Sequence, residues 1–379
     1  MLRKLACLIF LVSTLLVIGS AAALTPKEEL GKFLFFDENL SLNANESCAT
    51  CHAPSVGWVG PDSAINAAGS VYEGSIPGAF GDRKPPTAAY GGNSPLLYYD
   101  ADEEVWVGGM FWDGRATGWT LGDPLAEQAL GPFLNPKEQA LSSADDVIDI
   151  VRESSYAGLF EEVWGPGALD DAEAYNRIGH SIAAYERSYE VSPYSSKYDA
   201  YLAGMAKLSG SEKRGMDLFF GEAKCSLCHM PPDFTDFTYD NLGVPKNPMN
   251  PVYDWFGAYF VDPGLGGFLM SIGYEEDVYV AEWGKHKVPT LRNVDLRTKP
   301  KGQFVKAYGH NGYFKSLKEI VHFYNTRDVP GAGWRGTPWP GPEVPENVNV
   351  DELGDLGLSD REEDDLVEFM KTLSDGYRP

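Results

Sequence analysis

Positive charge is what this chain has least of. Its 379 residues carry 31 Lys+Arg against 55 Asp+Glu, a formal net charge of -24. An acid excess of that size opposes phosphate backbones and anionic lipid surfaces, which argues against nucleic-acid binding. Cysteine is also scarce, at five residues, so a disulfide-dense scaffold is excluded and the place of each thiol matters. Histidine occurs six times. Period-2 alternation is rare and there is no short-period repeat, so neither a large sheet nor a solenoid is expected. Hydrophobic residues reach 43%, ample for globular cores, and the length suits two domains at roughly 100 to 200 residues each.

The one long apolar run, Leu5 to Ile18, follows Arg3 and Lys4 and gives way to Gly19, Ser20 and Ala21-Ala22-Ala23. That is the pattern of a secretory signal cleaved after Ala23, and the run is short for a bilayer span. Cys7 lies deep inside it, with no small-residue cleavage site before it. The expected mature chain has 356 residues, a net charge of -26 and no membrane span. It works in the periplasm or otherwise outside the cytoplasm, with attachment at the outer surface left open.

The four remaining cysteines fall into two copies of one pattern, Cys48-Ala-Thr-Cys51-His52 and Cys225-Ser-Leu-Cys228-His229. By chance CxxCH should occur about 10⁻³ times in such a chain, so two copies that use every mature cysteine are a specific signal. Two thiols add to the vinyl groups of a haem, and the adjoining imidazole reaches the iron as proximal ligand. A thioredoxin-like motif does not require the histidine, and a zinc site would have to gather ligands from segments 177 residues apart. Two covalent c-type haems are therefore expected.

The rest of the chain reads as helices between long Gly- and Pro-rich loops. Thr25 with Glu28, Ser209 with Glu212, Ser316 with Glu319 and Ser359 with Glu362 each precede an apolar pattern of helical period. Tyr175, Ile178, Ile182, Tyr185 and Tyr189 share one helical face, with His180 off it. Segments 53–110 and 231–300 read as loops folded over a large flat cofactor. The fold class is mostly α, with two cytochrome c-like domains: 1–23 signal, 24–200 and 201–379, the last helix free to pack back on the N-terminal domain. The acidic 351–365 stretch reads as a solvated helix start.

Leu30-Gly-Lys-Phe-Leu-Phe-Phe-Asp37, Leu40-Ser41, the first CxxCH, Phe111-Trp-Asp-Gly-Arg115, Gln128-Ala-Leu-Gly-Pro132, Asn135-Pro136, the second CxxCH and Val288-Pro-Thr-Leu-Arg-Asn293 occur in that order. Together they resemble the bacterial di-haem cytochrome c peroxidase and MauG superfamily over nearly the whole mature chain. The resemblance implies that hydrogen peroxide reacts at the haem held by Cys48, Cys51 and His52, and that the haem held by Cys225, Cys228 and His229 exchanges electrons. It places Glu138 as the group that moves a proton between the peroxide oxygens, against the plainer reading that Glu138 caps a helix after Asn135-Pro136. Gln128 and Pro132 are implied to line the same pocket. Trp112 is implied to relay electrons, although its 16-residue spacing to Gln128 exceeds the family pattern.

Two features point to the MauG-like branch. Conventional peroxidases of the family have a histidine between the first CxxCH and the Trp-Asp-Gly-Arg motif that blocks the first iron, and here the 59 residues between His52 and Trp112 hold none. Fourteen residues after His310 stands Tyr324, where the resemblance puts the second axial ligand of the other haem; His322 is the competing candidate, since consecutive helical positions cannot both face the iron. A calcium ion between the haems is also implied. Thr298-Lys299-Pro300 matches part of its site, but Lys84 stands where an asparagine ligand is expected and cannot bind Ca²⁺, so charge replacement by lysine is the alternative. Arg83 and Lys84 could instead neutralise haem propionates.

The expectation is an extracytoplasmic peroxidase that reduces H₂O₂ and oxidises a redox protein partner, with the acid excess suited to a basic docking patch. The alternatives are a conventional cytochrome c peroxidase fed by a small cytochrome or copper protein, and a non-enzymatic di-haem electron carrier.

Overall fold

A computed structural model describes residues 23–297 and 304–378. The expected signal up to Ala22, and Thr298 and Pro300 of the calcium motif, lie outside the described residues. The described chain is mostly helical, with fourteen α-helices and three two-stranded antiparallel sheets of two or three residues per strand. No described helix is long and apolar enough to cross a membrane.

Six helices carry the packing: α1 (Pro26–Phe36), α2 (Pro124–Leu134), α3 (Ala174–Arg187), α4 (Gly210–Phe219), α5 (Leu317–Thr326) and α6 (Asp360–Lys371). Their starts follow from the sequence. Thr25, Ser209 and Ser359 each complete a capping box with the glutamate three residues on, satisfying amides that the first turn leaves free. Ser316 caps α5 through the Glu319 amide at 3.1 Å, while the Glu319 carboxylate turns to the Lys315 amide instead. Tyr189, expected on the α3 face, falls beyond the helix end at Arg187 and is exposed.

The helices pack as two matched crossings, α1 on α3 and α4 on α6. Each depends on one glycine. A methyl group on Gly31 would lie 1.9 Å from the Ser181 carbonyl oxygen, and one on Gly215 would lie 1.8 Å from that of Asp365. Around the first crossing Leu30, Leu34, Phe35, Phe133, Ile178 and Ile182 form one core; around the second Phe219, Phe234, Phe314, Phe323 and Phe369 form another. Each of these fully buried side chains contributes roughly 2–3 kcal/mol by leaving water. Tyr198 already belongs to the second core.

The last helix packs on α4 and α5 in the second half, not back on the first. Only the segment after it crosses: Asp375 accepts hydrogen bonds from the Tyr90 hydroxyl at 2.7 Å and the Ser195 amide at 3.0 Å. Between the halves Arg83 donates from Nε and Nη2 to Asp262, both at 2.7 Å, and within its own half it donates from Nη1 to Asp113 at 2.6 Å.

Candidate haem sites

Each CxxCH opens a short helical turn whose histidine is held the same way. His52 donates from Nδ1 to the Trp58 carbonyl at 3.2 Å, and His229 from Nδ1 to the Phe234 carbonyl at 3.0 Å. With Nδ1 so engaged, Nε2 of each neutral ring carries the free lone pair that an iron needs. Burial first, and the Lys84 ammonium after it, push His52 down to about 4, so the ring is neutral at ordinary pH. Burial likewise lowers His229. The four cysteines are free thiols rather than disulfides. Two thiols and one oriented imidazole at each motif fit covalent haem.

The loop after each motif is built on one plan. Thr87 donates to the Gly57 carbonyl and accepts from the Ala89 amide; Thr290 donates to the Asp233 carbonyl and accepts from the Arg292 amide. These bonds pin the Pro86 and Pro289 segments beside His52 and His229. A backbone bridge then closes a small turn in each half, Met110 with Ala116 and Tyr308 with Phe314. The second residue after the opening bridge residue is Trp112 in one turn and His310 in the other, and their rings meet edge to face at 6.5 Å.

Around the second motif lies an apolar cavity that opens to solvent at its mouth. Cys225, Cys228, His229 and Tyr324 line it, with apolar walls that include Leu242, Leu291 and Ile320. Burial raises the Tyr324 hydroxyl, and the neighbouring Cys228 and Asp240 add to that. His322, two residues earlier on α5, is held elsewhere: its Nδ1 meets Glu363 Oε1 at 2.8 Å and its ring packs beside Trp334 and Trp339. Trp112 and Lys84 line the same cavity, and the Trp112 indole donates to the Lys84 carbonyl at 2.8 Å.

Near the first motif the carboxyl groups gather. Glu138 sits in a turn after α2, its amide on the Asn135 carbonyl at 3.0 Å, so no helix begins there for it to cap. Burial raises its pKa, opposed by Arg115, whose guanidinium lies over the Phe111 ring at 3.7 Å. Gln128 and Pro132 stand one turn apart on α2 and therefore on one face. The sequence reading missed Glu46. It is 5% exposed, accepts the Cys51 thiol at 3.5 Å through Oε1, and leaves Oε2 without a partner. Burial above all, with a push from Glu138, raises it to about 7. Also missed is Glu186, raised by burial to about 8, with Oε2 unpartnered. Glu46 stands two residues before the CxxCH, which no motif rule marks, and Glu186 reaches Cys48 only through the tertiary fold.

A mostly helical chain with two CxxCH cages of matched construction defines the class, a c-type haem protein. Residues 25–207 match the family described as di-haem cytochrome c peroxidase. The chain is 38% identical to the methylamine utilization protein MauG of Paracoccus denitrificans, over 99% of this chain and 97% of that one. It is 32% identical to the cytochrome c551 peroxidase of Nitrosomonas europaea, over 79% and 74% of the two chains. The diheme peroxidase BthA of Burkholderia thailandensis superposes with a TM-score of 0.79 at 31% identity, covering 94% of this chain and 87% of that one. The chain belongs to the di-haem cytochrome c peroxidase family, and it is a haem-dependent oxidoreductase whose two haems match its two CxxCH motifs.

Proposed function

We propose that the protein is a MauG-like peroxidase, which reduces H₂O₂ at the first haem and draws the electrons from a protein partner by way of the second. The observation that carries this reading is the second cavity: Tyr324 lines it with His229, while His322 is turned away to Glu363. A tyrosine ligand favours the ferric state, whereas the methionine of cytochromes c raises the potential. When bound, the haems supply the electrons that cleave the O–O bond.

The chain's own residues do the rest. His52 would hold the first haem's iron, and His229 with Tyr324 the second's. Glu138, enclosed and raised by burial, holds a proton at neutral pH more readily than an exposed carboxylate, so it can pass one from the inner to the outer peroxide oxygen. Gln128 and Pro132 shape that pocket. Trp112, fixed by the Lys84 carbonyl, relays the electron. The division into haem domains at about residue 200 and an extracytoplasmic site of action belong to the same reading. So does a basic docking patch on the partner, which the acid excess would attract. Association that did not weaken with added salt would count against that patch. Gly221-Glu-Ala-Lys224, just before the second CxxCH, holds no tryptophan, so a partner route through an indole there is not assumed.

Electron paramagnetic resonance of the untreated diferric protein tests the reading. One high-spin and one low-spin signal are expected, and two low-spin signals would sink it. A steady-state assay with H₂O₂ and reduced cytochrome c separates the branches: slow turnover is expected here, and fast turnover would make the protein a conventional cytochrome c peroxidase.

A further inference from the structure

The segment 304–315 sends two lysines into the contact between the halves. Lys306 is 4% exposed, and its Nζ lies 2.8 Å from the Val56 carbonyl, 2.7 Å from that of Asn293 and 3.0 Å from that of Leu296. Val56 belongs to the loop of the first half whose Trp58 carbonyl orients His52. Asn293 and Leu296 belong to the second half, directly after the Thr290 segment that packs beside His229. One side chain thus ties the loop that orients His52 to the segment that follows the Thr290 stretch beside His229. Lys315 makes a comparable tie farther off, to the carbonyls of Asn66, Ala68 and Gly312 and the Ser70 hydroxyl, without lining the cavity.

Three carbonyls at hydrogen-bond distance require three N–H groups, which only the protonated amine has. Burial and the Lys84 ammonium both press Lys306 to lose that proton, and Asp295 opposes them. A buried cation held by backbone oxygens contributed by two halves is the arrangement a metal ion commonly provides. Among the described residues around these carbonyls, calcium would lack a free side-chain ligand. Lys84, at the position of the expected side-chain ligand, offers an ammonium that turns to its neighbour's carbonyl, Pro85, at 2.9 Å. The nearby carboxylate of Asp295 is paired with Arg297 at 3.0 Å.

We propose that the Lys306 ammonium is a resident cation which joins the two halves and positions both proximal-histidine loops, so that this protein needs no calcium there. Lys306 is a positioning residue, acting through the Val56–Trp58 and Asn293–Leu296 backbones.

The wild-type holoprotein gives the first test. After dialysis, elemental analysis should find substoichiometric calcium, and EGTA should leave the melting temperature and the ferric resonance of the first haem unchanged. One calcium per chain, removed by EGTA with a change in that resonance, would overturn the proposal. Lys306→Met and Lys315→Met give the second test. Both should lower the melting temperature, by roughly 5 °C, but only Lys306→Met should shift the first-haem resonance. A Lys306→Met protein with wild-type melting and resonance would equally overturn it. Should that variant fail to mature, the calcium measurement on the wild type still decides.

Discussion

The two haem cages are built on one plan and finished differently. Both start from a capped helix, cross a partner helix at a glycine, orient a histidine through a backbone carbonyl and close a turn with a single backbone bridge. They part on what faces the cofactor. The second cage presents a half-buried phenol, Tyr324, from α5. The first has no imidazole in residues 53–111 and brings carboxyl groups, Glu46, Glu138 and Glu186, into the electrostatic reach of its cysteines. On the proposed reading the matched parts would hold a macrocycle, and the unmatched parts would decide what its iron can do. Trp112 and His310 make the same point, since equivalent places in the two turns carry an oxidisable ring and a polar one.

The largest asymmetry predicted is catalytic. Glu138→Gln should slow reaction with peroxide by about 10²- to 10⁴-fold while the diferric spectrum stays put, as stopped-flow absorbance would show. Full reactivity in that variant would remove the proton-transfer role.

Next comes pH. Glu46 is raised from its ordinary value to about 7, so its contribution to stability is present below about 4.5 and lost as pH rises through about 7. Glu46→Gln should therefore gain stability relative to wild type as pH rises from 5 to 8, by up to about 3 kcal/mol in denaturant titrations. An unchanged pH profile would show that the first cage does not strain this carboxyl.

Smaller again is the potential of the second haem. Tyr324→Met should raise it by on the order of 0.1 V in a spectroelectrochemical titration, and His322→Met should not. The reverse pattern would exchange the two residues' roles. The least effect, about 2 kcal/mol each, is expected of Gly31→Ala and Gly215→Ala, and it should be equal in the two halves. Unequal losses in thermal melts would show that the crossings are matched in shape but not in energy.

Much of this was legible in the chain itself because it is local. A CxxCH needs five consecutive residues, and a capping box needs a Ser or Thr three residues ahead of a Glu, so the four capped helix starts emerged without tertiary information. The choice between Tyr324 and His322 was not local in that sense: the sequence shows that two positions on one helix point apart, but not which points inward. Glu46 and Lys306 were invisible for a stronger reason. Glu46 becomes a strained carboxyl only when folding buries it beside Cys51, and Lys306 becomes a tie between the halves only when Val56, 250 residues away, supplies one of its three oxygens. Long-range backbone acceptors leave no trace in residue spacing.

The hydrogen bond from the Trp112 indole to the Lys84 carbonyl has a further consequence for how charge can move. An indole that loses an electron becomes a strong acid, and a carboxylate partner would take its proton at once. A peptide carbonyl is far too weak a base to do so. If Trp112 is the relay, its electron loss would be uncoupled from proton loss, and the ring would return to its starting state once an electron arrived, with no proton to recover from solvent.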